Sequence, residues 1–251
     1  MIISKRDWNN YIKKLGALSK EVERRLKEYI EARGLEDIDE LIAYSYNLVK
    51  KYGEGAAALS AQMYDAVAEL EGKYLPPAEM AELAGYGDIA KAVNGTLKAS
   101  QNAEEIAGAV SRYVKMAGSD TTLNNALRDG AEAAWIPSGD TCAFCLMLAA
   151  NGWQRVSKQT LKNGHAEHIH SNCDCQYATR FSESTYIAGY RPEEYKRMYE
   201  SAEGSTWQQK VNSMRREFYA ENADEINEQK RDAYEKRKEL ESSEAEEKKV
   251  T

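Results

Sequence analysis

All of the cysteine and histidine side chains of this chain fall in one short stretch. The four Cys lie between positions 142 and 175, and the three His lie between positions 165 and 170. Cys and His are the usual ligands of structural zinc, whereas the disulfide framework of a secreted fold spreads its cysteines along the chain. This confinement predicts a small segment that is folded around a metal ion.

The spacing within this stretch indicates which side chains are the ligands. The pattern is C-x2-C followed, 24 residues later, by H-x2-C-x-C, and structural zinc takes four such ligands in a tetrahedron. The candidate ligands are Cys142, Cys145, His170, Cys173 and Cys175. Spacing alone does not choose between His170 and Cys175 as the fourth ligand. With four protein ligands the site is structural and leaves no open position for catalysis.

Several alternatives remain open for the same residues. His165 and His168 are surplus candidate ligands. If these residues bind no metal, the cysteines are expected to be buried free thiols and the histidines to lie on the surface. Alternatively, the four cysteines form two disulfides, which requires an oxidising compartment. Cys142 and Cys145 also have the spacing of a redox dithiol at a helix start, but the sequence before them lacks the βαβ pattern of such proteins.

A catalytic zinc is a further alternative, based on His165-Ala166-Glu167. Zinc deaminases use H-x-E followed by P-C-x-x-C, with the Glu as general acid and base. Here the order is reversed, and Thr141 stands where that motif has Pro. The sequence therefore favours a protein that is not an enzyme.

The chain before this stretch is predicted to be helical. Apolar residues recur at steps of three and four from Trp8 to Ile30, which is one face of a helix that Gly34 ends. A second helix is expected from Asp37 to Tyr52, where Gly53 ends it. A third is expected from about position 55 to 71. Pro76-Pro77 is expected to start a helix over 78–84.

Further helices are predicted up to position 130. Asp88 and Asn102 are expected N-caps, and Glu105 would complete a capping box with Asn102. Asp120 is expected to cap another helix that ends near Gly130. Beyond the Cys/His stretch, the segment 176–181 alternates weakly and is expected to be a short strand.

The expected fold class is mainly α, with extended N-terminal helices and a helical domain that ends in a small zinc-clamped segment with little β structure. A polar tail, helical or disordered, is expected to follow, because acidic residues outnumber basic ones after Glu221 and few residues there are apolar. The expected domains are a helical arm at 1–74, a domain at 75–190 with the Cys/His knot at 135–181, and the tail at 191–251.

Composition excludes some classes of protein. The 251 residues include no apolar run long enough to span a membrane and no apolar stretch at the start typical of a signal peptide, so an intracellular product is expected. A net charge of −7 makes binding of nucleic acid by overall charge alone unfavourable. A local nucleic-acid site around the zinc knot remains an alternative. Its candidates are the cations Arg155, Lys158, Lys162 and Arg180 and the stacking aromatics Trp153 and Tyr177.

Further positions around the cysteines form a distinctive pattern. They are Trp135, Asp140, Met147, Leu148 and Gly152, followed by His170-Ser171-Asn172-Cys173-Asp174-Cys175. This pattern resembles the phage Mu F-like minor head protein family, also called the head morphogenesis family, over about 135–175, and more loosely over the helices before it. The departures are Ser171, where the family often has Pro, and Asp174, where it often has Arg.

The resemblance implies a structural role. Members of that family are minor components of tailed-phage heads that assist assembly or DNA delivery. For this chain it implies a portal or major capsid protein as partner, possible contact with packaged DNA, and an oligomeric assembly. It also implies a place in the host cytoplasm during assembly and then in the interior of the virion head. The part of the chain after Cys175 is too short and too polar for an appended enzyme domain.

Overall fold

The computed structural model describes residues 2–138, 141–159 and 174–221, together with 224, 227–228 and 231. Over these residues the protein is mainly helical, as expected. The helices are α1 (Lys5–Arg33), α2 (Ile38–Leu70), α3 (Tyr86–Ala99), α4 (Ala103–Asp129), α5 (Ala143–Ala149), α6 (Pro192–Ser201) and α7 (Trp207–Glu221). The strands are β1 (Ile2–Ile3), β2 (Glu132–Ile136), β3 (Gln154–Arg155), β4 (Gln176–Arg180) and β5 (Tyr186–Ile187).

The chain divides into two compact units, residues 1–196 and residues 197–251. In the first unit α1, α2 and α3 pack against α4, and a hydrophobic core fills the space between these helices. In the second unit the ammonium of Lys210 on α7 donates to the carbonyl of Glu200 at 2.9 Å. The domain boundaries expected at 74 and 190 remain predictions.

Helix ends follow the local sequence where capping residues are present. Ser4 caps α1 by accepting from the backbone N–H of Asp7 at 3.1 Å, and Gly34 ends the helix. Asn102 caps α4 as expected, and its side chain accepts from Glu104 N at 2.7 Å. Gly130 ends α4 with φ 68°, a left-handed conformation that glycine adopts without strain.

Three predicted helix boundaries are wrong. Asp88 is not an N-cap but lies in the first turn of α3, whose N-cap is Gly85. The stop at Gly53 is absent, and α2 continues to Leu70. A Cβ at Gly53 would lie 3.2 Å from Leu83, so this glycine provides space for a neighbouring segment. The cap at Asp120 is also absent. There α4 continues, and Thr121 donates to the carbonyl of Ala117, within the helix.

The predicted helix over 78–84 is wrong as well. Residues 76–84, called the strap below, form no helix or strand and run beside α2 and α4. Their backbone donors are bound by side chains: Asp65 accepts from Ala78 N at 2.8 Å, and Thr121 accepts from Ala81 N at 3.0 Å. Because side chains of the helices satisfy these groups, an intrahelical bond is not needed.

A small antiparallel sheet in the order β3-β2-β4 lies next to the helices. The strand expected at 176–181 is confirmed as β4, which pairs with β2 in the register Trp135 to Tyr177. A separate parallel pair joins β1 to β5, with Ile3 opposite Ile187. Among the described residues, none of the helices is both long and apolar enough to cross a membrane.

Candidate functional site

Two of the candidate ligands lie at the start of α5. Cys142 is the N-cap residue, and its carbonyl accepts from Leu146 N at 3.1 Å. Cys145 lies in the first turn and is 1% exposed. Positions three apart on a helix lie on the same side, so the C-x2-C spacing places both sulfur-bearing side chains on one side of the helix start.

A third candidate, Cys175, lies directly before β4. It is buried, and its Sγ accepts from the backbone N–H of Ser138 at 3.4 Å. Cys175 and Cys145 belong to one hydrophobic cluster, and Cys142 packs against it. The structure therefore brings together, in one buried region, cysteines that are 30 residues or more apart in sequence.

The other candidates, His170 and Cys173, lie outside the described residues, as do His165, His168 and Glu167. Within the described ranges no group of three or more His, Cys, Asp or Glu side chains is arranged to hold a metal ion. The described donors fit zinc in chemical type, because thiolate sulfur is one of its preferred ligands.

Two aromatic rings pack in the same cluster as these cysteines. The rings of Trp135 and Tyr177 meet edge to face, with centroids 4.7 Å apart. Burial is the main cause that raises the pKa of the Tyr177 phenol, and the neighbouring groups of Asp120 and Cys145 raise it further. Cys145 and Cys175 thus lie in an apolar region with little access to water, whereas Cys142 is half-buried. Burial of two of the sulfur atoms suits a structural site better than an open catalytic one.

The residues considered for stacking on nucleic-acid bases are mostly engaged within the protein. Tyr177 is only 7% exposed, so its prediction as a stacking residue is wrong. Arg180 pairs with Glu132 at 2.6 Å, and its guanidinium lies 4.8 Å from the ring centre of Trp153. Lys162 lies outside the described residues. The described part of this region therefore gives no support to a base-stacking surface.

The sequence reading missed a set of polar residues on the buried side of α4. They are Lys115, Ser119, Thr121 and Asn125, all buried. Lys115 and Ser119 contact the segment around Cys175, and Thr121 and Asn125 contact the strap. The available signal was their spacing, since each pair is four residues apart and so lies on one side of α4.

The fold and these cysteines define a mainly helical protein with a small sheet and a buried, cysteine-rich region beside it. The family model described as VG15 protein matches residues 2–202, which is most of the chain, and the chain belongs to this family. It is a family of viral and phage gene products, which points to a phage protein. No curated protein and no solved structure matches the chain.

Proposed function

We propose that this protein is a structural minor head protein of a tailed bacteriophage that acts in head assembly, DNA packaging or DNA delivery near the portal. The main support is the family match over residues 2–202. The resemblance of the Cys/His stretch to Mu F-like minor head proteins supports the finer assignment. On this proposal the protein acts in the host cytoplasm during assembly and then in the head interior, in contact with the portal or the major capsid protein.

The proposal includes a structural zinc ion held by Cys142, Cys145, Cys173 and either His170 or Cys175. The burial of Cys145 and Cys175 in one cluster supports this assignment. Bound zinc would stabilise the segment between residues 135 and 181, because a structural ion binds the folded state only. The proposed site has no open coordination position, so the protein is proposed not to be an enzyme.

Purified virions and purified portal provide the direct test. We expect mass spectrometry to find the protein in mature heads, and sedimentation of a mixture with portal to move it into the faster-sedimenting fraction. Absence from virions, together with no co-sedimentation with portal or capsid protein, would reject the proposal. A hydrolase or deaminase activity that Glu167→Gln abolishes without loss of folding or metal would reject the structural assignment in favour of the catalytic one.

Contact with packaged DNA is a second candidate, favoured by one observation. A cleft of about 590 Å³ is lined on one side of α1 by Lys5, Lys13 and Lys20. Among the described residues no carboxylate lies within ion-pair distance of Lys5 or Lys13, whereas Arg24, farther along α1, pairs with Glu21 and Glu28. Lysines without a protein counter-ion are suited to contact phosphates.

Replacing two of these lysines tests the DNA contact. Lys5→Glu/Lys13→Glu is expected to weaken a salt-dependent DNA mobility shift, because phosphate contacts release counter-ions. The matched control is Lys50→Glu/Lys51→Glu on α2, outside the cleft. A wild-type protein that shifts no DNA at low salt, or an equal loss in both double variants, would remove this candidate.

A further inference from the structure

The residues on either side of Cys175 are both bound by α4. Asp174 Oδ1 lies 3.8 Å from the ammonium of Lys115, and the hydroxyl of Ser119 donates to the side-chain carbonyl of Gln176. Lys115 is 9% exposed and Ser119 is fully buried. A buried cation and a buried hydroxyl both require polar partners. The Ser119–Gln176 contact lies in the interior of the protein, whereas the Lys115–Asp174 pair lies at its edge, since the Asp174 side chain is 40% exposed.

The distance between the two contacts is nearly the same along α4 as along the segment 174–176. Lys115 and Ser119 are one helical turn apart, which is about 6 Å along α4 at 1.5 Å per residue. Asp174 and Gln176 are two residues apart, which spans about 6.6 Å in extended chain, where alternate side chains point to the same side. The two pairs therefore form successive rungs, called the polar ladder below, with Cys175 between them.

Alternation along the extended chain places Cys175 on the opposite side of this segment from Asp174 and Gln176, the two residues that Lys115 and Ser119 bind. The Sγ of Cys175 accepts from Ser138 N, and Cys175 lies in the cluster of Cys145 and Trp135. The alternation continues along β4, because Tyr177 belongs to the same cluster as Cys175 whereas Ala178 belongs to the core formed by the helices. A shift of one residue in this segment would turn Cys175 towards α4 and away from the other cysteines.

Two glycines lie next to the ladder. A Cβ at Gly118 would lie 2.8 Å from Ser60 Oγ and 3.5 Å from the amide nitrogen of Gln176. A Cβ at Gly16 on α1 would lie 3.4 Å from Asp174 Oδ1. Near it, the ammonium of Lys20 is 4.0 Å from the other carboxylate oxygen of Asp174. Side chains from α1 and α4 thus meet the same carboxylate.

We propose that the polar ladder is a positioning device that fixes the register of residues 174–176 and so directs the Cys175 thiol towards Cys142 and Cys145. This assigns a role to Asp174, one of the two residues at which the chain departs from the Mu F-like pattern. It adds to the proposed structural site, but it concerns the direction of Cys175 and does not depend on which metal, if any, is bound.

The test is the reactivity of individual cysteines in the full-length native protein. Each cysteine is alkylated for increasing times, with and without a chelator, and its labelled fraction is measured by peptide mass spectrometry. In Asp174→Asn and in Ser119→Ala, we expect Cys175 to react about tenfold faster or more, because the local opening that exposes it costs less. Cys145 should change much less, and the helical circular dichroism should be unchanged.

Matched variants separate positioning from loss of stability. Asp88→Asn removes an exposed carboxylate that lies 3.6 Å from Lys91 on α3, and should leave Cys175 labelling unchanged. Gly16→Leu should displace Asp174 and accelerate labelling of Cys175, whereas Gly16→Ala should not.

Unchanged Cys175 labelling in Asp174→Asn, Ser119→Ala and Gly16→Leu would overturn the proposal. Equal acceleration of Cys145 and Cys175 in these variants would overturn it as well, since it would show a general loss of stability. Metal content is measured on the same samples. A wild-type protein without metal therefore counts against the zinc site alone, whereas the chelator-treated labelling decides the ladder.

Discussion

The side-chain amide of Asn125 binds both backbone polar groups of Glu79. Its Oδ1 accepts from Glu79 N at 2.9 Å, and its Nδ2 donates to Glu79 O at 2.8 Å. A single buried side chain on α4 thereby replaces the pairing that a neighbouring strand would give to the strap. The strap is held in the way that a helical protein holds a bound peptide, although it belongs to the same chain.

Replacing Asn125 should therefore be costly. Asn125→Ala is expected to lower the free energy of unfolding by about 2–3 kcal/mol, because it leaves partly buried backbone groups without partners. Urea denaturation followed by circular dichroism measures this change. The control is Asn124→Ala, an exposed neighbour on the same helix, which should change stability by less than about 0.5 kcal/mol. Similar losses in both variants would contradict the role given to Asn125.

The metal prediction concerns stoichiometry and stability together. Protein purified under reducing conditions is expected to contain about one zinc per chain. Cys142→Ser or Cys173→Ser should lower both the metal content and the melting temperature, because metal binding contributes to folding free energy. Elemental analysis that finds no zinc, iron or other soft metal in the wild type would reject the site.

The three histidines provide an internal comparison. His170→Ala is expected to reduce zinc retention more than His165→Ala or His168→Ala, because His170 is the histidine in the stretch that resembles the Mu F-like pattern. Competition with a chromogenic chelator measures retention in each variant. If all three variants retain zinc equally, the four cysteines form the complete shell and no histidine is a ligand.

Alkaline pH should destabilise the protein through Tyr11. Its hydroxyl and the Ser60 hydroxyl are 2.8 Å apart, and burial raises the pKa of Tyr11 from 10.0 to about 12. Because the folded protein holds this proton more tightly than the unfolded chain, the corresponding stability is complete below pH 10 and is lost between pH 10 and about 12.

The matched variants for this loss are Tyr11→Phe and Tyr74→Phe. Between pH 10 and 12, Tyr11→Phe should lose less stability than the wild type, by on the order of 2–3 kcal/mol, because it has no proton to release there. Tyr74 is fully exposed, so its replacement should leave the pH profile unchanged. Thermal melts across this range measure the difference, and parallel profiles for the wild type and Tyr11→Phe would exclude the assignment.

Truncation tests whether the last part of the chain contributes to the stability of the fold. Removal of everything after Tyr219 is expected to leave the melting temperature nearly unchanged, because the described residues just beyond it are exposed. Truncation after Ser205 is the contrasting variant, since it removes the buried side chains of Val211 and Met214 and should lower the melting temperature. Incorporation into heads is measured on the first truncation. A large drop in its melting temperature would contradict the prediction of a solvated tail.

The sequence predicted the ends of helices correctly where a capping residue lies at the end of the helix. It reproduced Gly34, Asn102 and Gly130, because these ends are local and their backbone conformations favour those residue types. It was wrong at Gly53, because the sequence does not distinguish a glycine needed for close packing from a glycine that ends a helix. The two cases differ only in tertiary surroundings.

The strap and the polar ladder could not be predicted from the sequence by the same means. Pro76-Pro77 is compatible with a helix start, and only the side chains of Asp65 and Thr121, distant in sequence, make the extended form favourable. The cysteine cluster was anticipated from spacing, whereas its orientation depends on Lys115 and Ser119, which the spacing of the cysteines does not reveal.

The pairing of β1 with β5 has a consequence for the order of folding during synthesis. Ile2 and Ile3 are synthesised before the helices from α1 to α5, whereas their partners Tyr186 and Ile187 are synthesised after them. Long-range contacts of this kind form late, since a large loop must close before they form. The apolar side chain of Ile3 therefore has no strand partner until β5 has been synthesised, so completion of the first unit is coupled to synthesis of β5.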